Sequence, residues 1–412
     1  MPALSGPLSG PHSGPRPLTV AFTGLLCLAV AMGIGRFAFT PLLPMMLHDG
    51  VTDLPTASAL ATANYLGYWL GALGCAFLPT WWAHRPGATP LRATRAARSG
   101  LVATVLLTLC MAQPWAASWP WWRFLSGVAS AIVFVFASGW CLARLTALGR
   151  PALSGLIFVG PGLGIALSGL AASAMVAADW RASTAWALFG LLAAALTALA
   201  WPQLRGDNPA PPAAAATADA APRGVLAWFA LAYGLAGLGY IVTATFLPVI
   251  ARQALPGSVW LDLFWPLFGA AVALGAVLTL RLPPHWDRRH LLAGSYVMQA
   301  TGVLLTVWWP SLAGFALGSL LLGLPFTAIT LFALQESRRL LPHNPSPYIA
   351  LITAAYGLGQ IAGPPMVAWL LPRSGGTGAG FAVSLQVAAT ALLVGAAIYA
   401  LLARQRPLPP HR

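Results

Sequence analysis

Long apolar runs alternate with short polar breaks along almost the whole of this chain. Crossing the hydrocarbon core of a bilayer takes about 20 predominantly apolar residues, so each run predicts one membrane-spanning helix. On that template helices fall near 18–46, 56–80, 99–117, 120–143, 152–176 and 182–202. A second set follows near 224–250, 260–281, 291–309, 312–335, 346–371 and 380–403. The split of 99–143 rests on Gln113-Pro114 and on Trp119-Pro120-Trp121-Trp122, a cluster suited to a membrane interface. The first run is too long for a cleavable signal segment and counts as a span. The pattern predicts an all-α membrane protein with twelve transmembrane helices.

One break differs from the others. Residues 203–223 (QLRGDNPAPPAAAATADAAPR) are polar and Pro/Ala-rich, the composition of a flexible cytoplasmic linker. The expected organisation is a disordered N-terminal tail (1–17), a six-helix bundle (18–202), the linker, a second six-helix bundle (224–403) and a C-terminal tail (404–412). The halves echo each other. Gly33-Ile34-Gly35 followed by Leu43-Pro44 in the first helix returns as Gly237-Leu238-Gly239 followed by Leu247-Pro248 in the seventh. Helices five and eleven share a weaker echo, Gly162-Leu163-Gly164 and Gly357-Leu358-Gly359, with Pro161 and Pro364 nearby. Parallel halves of this kind are related by an axis along the membrane normal.

Composition sharpens this. The chain is 58% hydrophobic and only 7% charged, against about 25% charged for a soluble domain, so no aqueous surface can be assembled from it. The net charge of +14 would suggest nucleic acid if read alone, but every basic residue is Arg, and almost all lie between apolar runs. With the N-terminus inside, seventeen arginines fall in inner segments and only Arg181, Arg252 and Arg373 in outer ones. That bias fits cytoplasmic termini and an even number of spans. It also argues for contact with membrane lipids and no nucleic acid. Cys27, Cys75, Cys110 and Cys141 are isolated within apolar runs and read as packing residues, with no metal spacing. No lysine is present, hence no phosphate-binding loop for ATP, and no cofactor is implied.

Specific wording appears in the first two helices. The segment Gly33-Ile34-Gly35-Arg36-Phe37-Ala38-Phe39-Thr40-Pro41-Leu42-Leu43-Pro44 resembles the first-helix signature of the YbfB/YjiJ-like branch of the major facilitator superfamily. Ala63-Asn64-Tyr65-Leu66-Gly67-Tyr68 resembles its second helix, and Arg123-Phe124-Leu125-Ser126-Gly127 is similar to the superfamily's Arg-x-x-x-Gly element. The resemblance implies the major facilitator fold, two pseudo-symmetric six-helix bundles around a central cavity, and alternating access. It implies a transporter in a bacterial cytoplasmic membrane, expected to act as a monomer on a small-molecule substrate. The loop after helix two departs from the superfamily's Gly-x-Leu-x-Asp-Arg-x-Gly-Arg gating motif. It reads Trp81-Trp82-Ala83-His84-Arg85-Pro86-Gly87-Ala88, without the Asp, which argues against the usual charge-relay closure there.

Arg36 is the sharpest candidate, because an arginine at bilayer depth costs ~2.5–3.5 kcal/mol and must face a bundle interior or a wet cavity. Arg123 lies near the outer end of helix four, where snorkelling is as natural as function. Arginine's planar fork suits a carboxylate, so an organic anion is the expected cargo. The eight acidic residues all avoid the middles of the spans, so no midplane proton-carrying carboxylate is visible. A proton-coupled drug or metabolite antiporter remains the alternative. An intramembrane enzyme or sensor would need a polar cluster within the spans, and the sequence supplies none. Further candidate binding residues are Thr40, Asn64, Tyr65, Tyr68, Tyr240, Gln299, Tyr356 and Gln360. Gly33, Gly35, Pro44, Gly160, Pro161, Gly164, Gly237, Gly239, Pro248, Gly359, Gly363 and Pro364 are expected to serve gating and close helix packing.

Overall fold

The computed structural model describes residues 16–83, 92–206, 221–258, 260–283, 285–341 and 346–405. The N-terminal tail, the body of the linker, the loop around His84–Ala88 and most of the C-terminal tail lie outside the described residues. The spans are α1 (Pro17–His48), α2 (Leu54–Ala83), α3 (Ala93–Cys110), α4 (Ala116–Ala147), α5 (Pro151–Ala177) and α6 (Ala182–Ala200). They continue as α7 (Arg223–Ala254), α8 (Leu261–Thr279), α9 (Arg288–Trp308), α10 (Leu312–Leu340), α11 (Ser346–Leu370) and α12 (Thr377–Gln405). Spans α1–α6 and α7–α12 form two six-helix bundles that meet along α5–α8, α2–α11 and one half of α1–α7. One face of the molecule carries Arg144, Arg150, Arg223, Arg281, Arg288, Arg339 and Arg404 and is called the arginine-rich face below.

Two expectations need correction. The third helix, expected at 99–117, runs from Ala93 to Cys110. Arg92, Arg95 and Arg98 dilute its first turns, and a hydropathy window passes over them, although arginine is a good helix former. The Arg98 side chain reaches the Trp201 carbonyl (2.9 Å) and covers the Trp201 ring. The first run, expected as one continuous helix, is interrupted. After Pro17–Leu28 the ladder widens to π geometry over Ala29–Ile34, and regular helix resumes only at Phe39–His48. The N–H groups of Gly35 and Phe37 reach back five residues, to Val30 O (2.8 Å) and Met32 O (3.1 Å).

An interrupted helix in a membrane must find partners for the backbone groups it frees. Pro41 has no N–H, so Phe37 O takes that of Thr40 (3.2 Å), and the Arg36 carbonyl loses its helical donor. Helix α4 supplies the replacements. Ser130 donates to Ala31 O (2.8 Å), Ser126 to Gly35 O (2.9 Å), and Arg123 to Gly35 O (3.4 Å) and Arg36 O (3.2 Å). Proline sets up the same situation between bundles. Pro248 orphans the Ala244 carbonyl, which Thr40 fills from α1 (2.7 Å). Pro266 orphans that of Asp262, which Ser173 fills from α5 (2.8 Å).

The glycine echo is a packing device. A Cβ on Gly33 would lie 2.4 Å from Gly164 Cα, and one on Gly160 2.2 Å from Leu25 O, so α1 and α5 touch backbone to backbone. In the other half a Cβ on Gly237 would lie 2.0 Å from Tyr356 O, and one on Gly359 2.3 Å from Gly234 O, joining α7 to α11 in the same way. Gly363 faces Ile241 on that seam, Gly239 faces Leu392 of α12, and Gly35 faces Thr104 of α3. Small residues at such contacts give transmembrane helices the close approach that dispersion forces need.

Candidate functional site

Between the bundles lies a cavity of about 360 Å³, with every lining residue at the level of Arg36 or nearer the arginine-rich face. On the opposite side the bundles are sealed. Residues 37–46 of α1 and 240–251 of α7 are all buried, tied by Thr40 to Ala244 and by the Tyr65 hydroxyl to Thr245 Oγ1 (2.8 Å). The helix break positions the residue at the cavity's blind end. Where regular helix fails, at Gly35–Ala38, Arg36 turns into the bundle interface and is only 3% exposed.

Arg36 donates to Gln360 Oε1 of α11 (2.5 Å), and Gln360 in turn donates to the Tyr240 hydroxyl of α7. The guanidinium lies over the ring of Tyr68 (4.0 Å to the centroid) and near that of Tyr65 (5.3 Å). Its Nε is buried and has no partner. Among the described residues no carboxylate lines the cavity, and Arg36 is the sole charged one on its lining. A desolvated cation held by a neutral amide and aromatic faces has the chemistry to pair with an anion.

Of the ten expected binding residues, Arg36, Tyr68, Tyr240, Tyr356 and Gln360 come together on the cavity wall. Pro161, expected as a packing residue, lines it as well. The other five lie elsewhere. Thr40 and Tyr65 stitch the sealed side. Asn64 donates to Arg123 O (2.9 Å) inside the first bundle. Gln299 donates to Leu322 O (3.1 Å), beside the break that splits α10 at Leu324-Pro325. Arg123 is 2% exposed and does not snorkel: the two amino groups of its guanidinium donate to the freed carbonyls of α1, and the group rests over Phe39 (4.9 Å).

Several lining residues escaped the sequence reading, among them Trp69, Phe134, Tyr233, Phe326 and Thr330. Trp69 bridges the bundles by donating to Ala354 O (2.9 Å). Tyr233 stacks on Tyr356 (4.8 Å), which stacks on Tyr240 (5.8 Å), and Phe326 meets Tyr240 edge-on (5.0 Å). A signal existed for Tyr233, which stands seven residues, two helical turns, before Tyr240. Among the described residues no cluster of His, Cys, Asp or Glu could hold a metal ion.

Charge is concentrated at the arginine-rich face of the second bundle. Asp287 caps α9 and pairs with Arg289 (2.6 Å), which lies 3.7 Å from Glu336. Arg339 grips Glu336 through two bonds of 2.5 and 2.9 Å. Glu336 is 1% exposed and engaged by both arginines. For Asp287, burial pushes the carboxyl up, but the hydrogen bonds and charge of Arg289 outweigh it and hold the group below the ordinary aspartate range.

A family model described as "Uncharacterised MFS-type transporter YbfB" matches residues 28–400. The chain belongs to that family. No curated protein matches the sequence. Solved structures share the fold of this major facilitator transporter. A bacterial homologue of the human lysosomal transporter Spinster, inward-facing and unoccupied, matches with a TM-score of 0.67 at 12% identity, over 95% of this chain and 98% of that one. A D-xylose–proton symporter matches with a TM-score of 0.70 at 14% identity, over 93% and 97% of the two chains. The human organic anion transporter MFSD10 matches with a TM-score of 0.61 at 16% identity, over 93% and 100%. At such identities the likeness is one of fold, and the fold is that of membrane carriers, which are not enzymes.

Proposed function

We propose that this major facilitator protein carries a small organic anion across a bacterial cytoplasmic membrane by alternating access, as a monomer with both termini cytoplasmic. The observation that carries the reading is Arg36, a buried guanidinium at the blind end of the cavity that faces no carboxylate among the described residues. The arginine bias supports the orientation, so the cavity opens to the cytoplasm in this conformation. An anion bound to Arg36 displaces the Gln360 amide, which loosens a direct tie between the bundles and favours the conformation that opens the far side. The neighbours in fold are named for a sugar, an organic anion and a lysosomal carrier, so fold does not choose the cargo; the site chemistry does. Proton-coupled export of a cationic drug would call for a carboxylate in the pathway, and the described lining residues include none.

The test is uptake by purified protein in liposomes, screened with monocarboxylates, dicarboxylates and organic cations, with and without a pH gradient. Saturable uptake of a carboxylate that Arg36→Gln abolishes is the expected result. Uptake confined to cations, or carboxylate uptake untouched by Arg36→Gln, overturns the proposal.

A further inference from the structure

The geometry points to a narrower substrate class for this site: an aryl monocarboxylate, with its carboxylate on Arg36 and its ring against the tyrosine wall. This rests on the anion reading above and adds the charge number and shape of the cargo.

Charge number follows from the census of cations. Among the described residues Arg36 is the one charged side chain on the wall. The next guanidinium, Arg123, is not among the lining residues, and its two amino groups donate to Gly35 O and Arg36 O. A single carboxylate is therefore neutralised. A second would be stripped of water with no cation to meet it, a cost several times what a neutral group pays. Arg36 still has donors to give, because its bond to Gln360 uses one amino group and its Nε is unpartnered, which leaves an edge suited to bidentate capture.

Shape follows from the walls. Tyr233, Tyr356 and Tyr240 form a stacked series with interplanar angles of 29° and 20°, and Phe326 closes its end edge-on at 78°. Tyr68 covers the guanidinium face. A flat π-system finds offset and edge contacts here that a flexible alkyl chain does not. The volume of about 360 Å³ is near the lower end of the usual range for ligand pockets, which suits one ring and a short acid arm. A polyhydroxylated cargo would leave most of its hydroxyls facing aromatic carbon. One exception adds detail: Thr327 Oγ1, on the lining, is buried without a partner and could accept a single ring substituent.

Binding of a defined panel to the intact purified protein in detergent, by calorimetry and by quenching of tryptophan emission, decides the matter. The panel is phenylacetate, 3-phenylpropionate, cyclohexylacetate, succinate, phenylacetamide and benzylammonium. Phenylacetate or phenylpropionate should bind at least tenfold tighter than each of the other four. Tyr356→Leu should erase the preference for phenyl over cyclohexyl while keeping that for acid over amide. Arg36→Gln should do the reverse, and Arg36→Lys should recover part of the acid preference if Arg36→Gln fails to fold. Succinate or cyclohexylacetate binding as well as the aryl acids sinks the aryl monoanion while leaving an anion carrier intact. Phenylacetamide or benzylammonium binding as well as phenylacetate sinks both readings. No binding by either aryl acid at millimolar concentration also refutes the class.

Discussion

The bond between Arg36 and Gln360 can be turned into a permanent mimic of a bound anion. Gln360→Glu changes neither size nor shape and sets a carboxylate where Oε1 now lies 2.5 Å from the Arg36 amino group. The network can absorb it: the Tyr240 hydroxyl, which accepts from the Gln360 amide, can rotate to donate to the new oxygen. With charge centres about 4 Å apart, the attraction is ~4 kcal/mol at an effective dielectric of about 20. No surface discount applies, since Arg36 and Gln360 are 3% and 1% exposed. Desolvating the new carboxylate consumes much of that gain in folding, so thermal stability should hold or rise slightly. A competing anion, by contrast, meets a guanidinium already neutralised. At about 1.4 kcal/mol per tenfold, its affinity should fall by at least tenfold and at most about a thousandfold. Calorimetry with the best-binding carboxylate, beside thermal unfolding in the same detergent, reads both quantities. A variant that unfolds earlier yet binds the anion unchanged would mean that the anion does not meet Arg36.

Other expectations follow from the same contacts. Gly33→Ala forces a methyl against the Gly164 backbone and should cost ~1–3 kcal/mol, whereas Gly74→Ala, with open space around its Cβ, should be neutral or stabilise by ~0.5–1 kcal/mol; thermal unfolding of the two side by side should show the contrast. Thr40→Val keeps the shape and orphans the buried Ala244 carbonyl, a penalty of ~1–3 kcal/mol paid only while the far side is sealed. It should therefore raise the labelling rate of a cysteine placed at Met45 by a membrane-impermeant thiol reagent added from the side expected to be extracellular. Asp287, held below its ordinary range, contributes stability that is complete above the unfolded aspartate value of about 3.9 and is lost as pH falls through the folded value. The acid limb of the stability curve should accordingly flatten in Asp287→Asn.

The spans were legible because bilayer thickness fixes a length that hydropathy measures directly. Rotation about each helix axis was not legible in the same way. Nearly every face of these helices is apolar, so periodicity cannot say which one turns inward, and Trp69 and Phe326 on the wall look like any other aromatic in a span. Arg36 and Gln360 could be read as candidates because a charge or an amide in lipid demands a partner, but their meeting across 324 residues could not. Arg123 shows the limit of the rule: its partners are backbone carbonyls freed by a π segment and by Pro41, and hydropathy carries no trace of a shifted hydrogen-bond ladder. Thr40 was misplaced on the cavity for the same reason. The carbonyl it serves is vacated by Pro248, a residue in the other half of the chain.

Thr40 and Ala244 are separated by 204 residues, the same interval that carries Gly33 to Gly237 and Pro44 to Pro248. They are thus equivalent positions of the two halves, touching each other. The same interval carries Arg36 to Tyr240, and both copies converge on Gln360. An assembly of two identical half-length chains would set the same side chain at both positions. Two guanidinium groups there would repel, and two phenols would hold no anion. A single positive charge on a pseudo-symmetric scaffold is an arrangement that two identical half-length chains cannot encode and one continuous chain can.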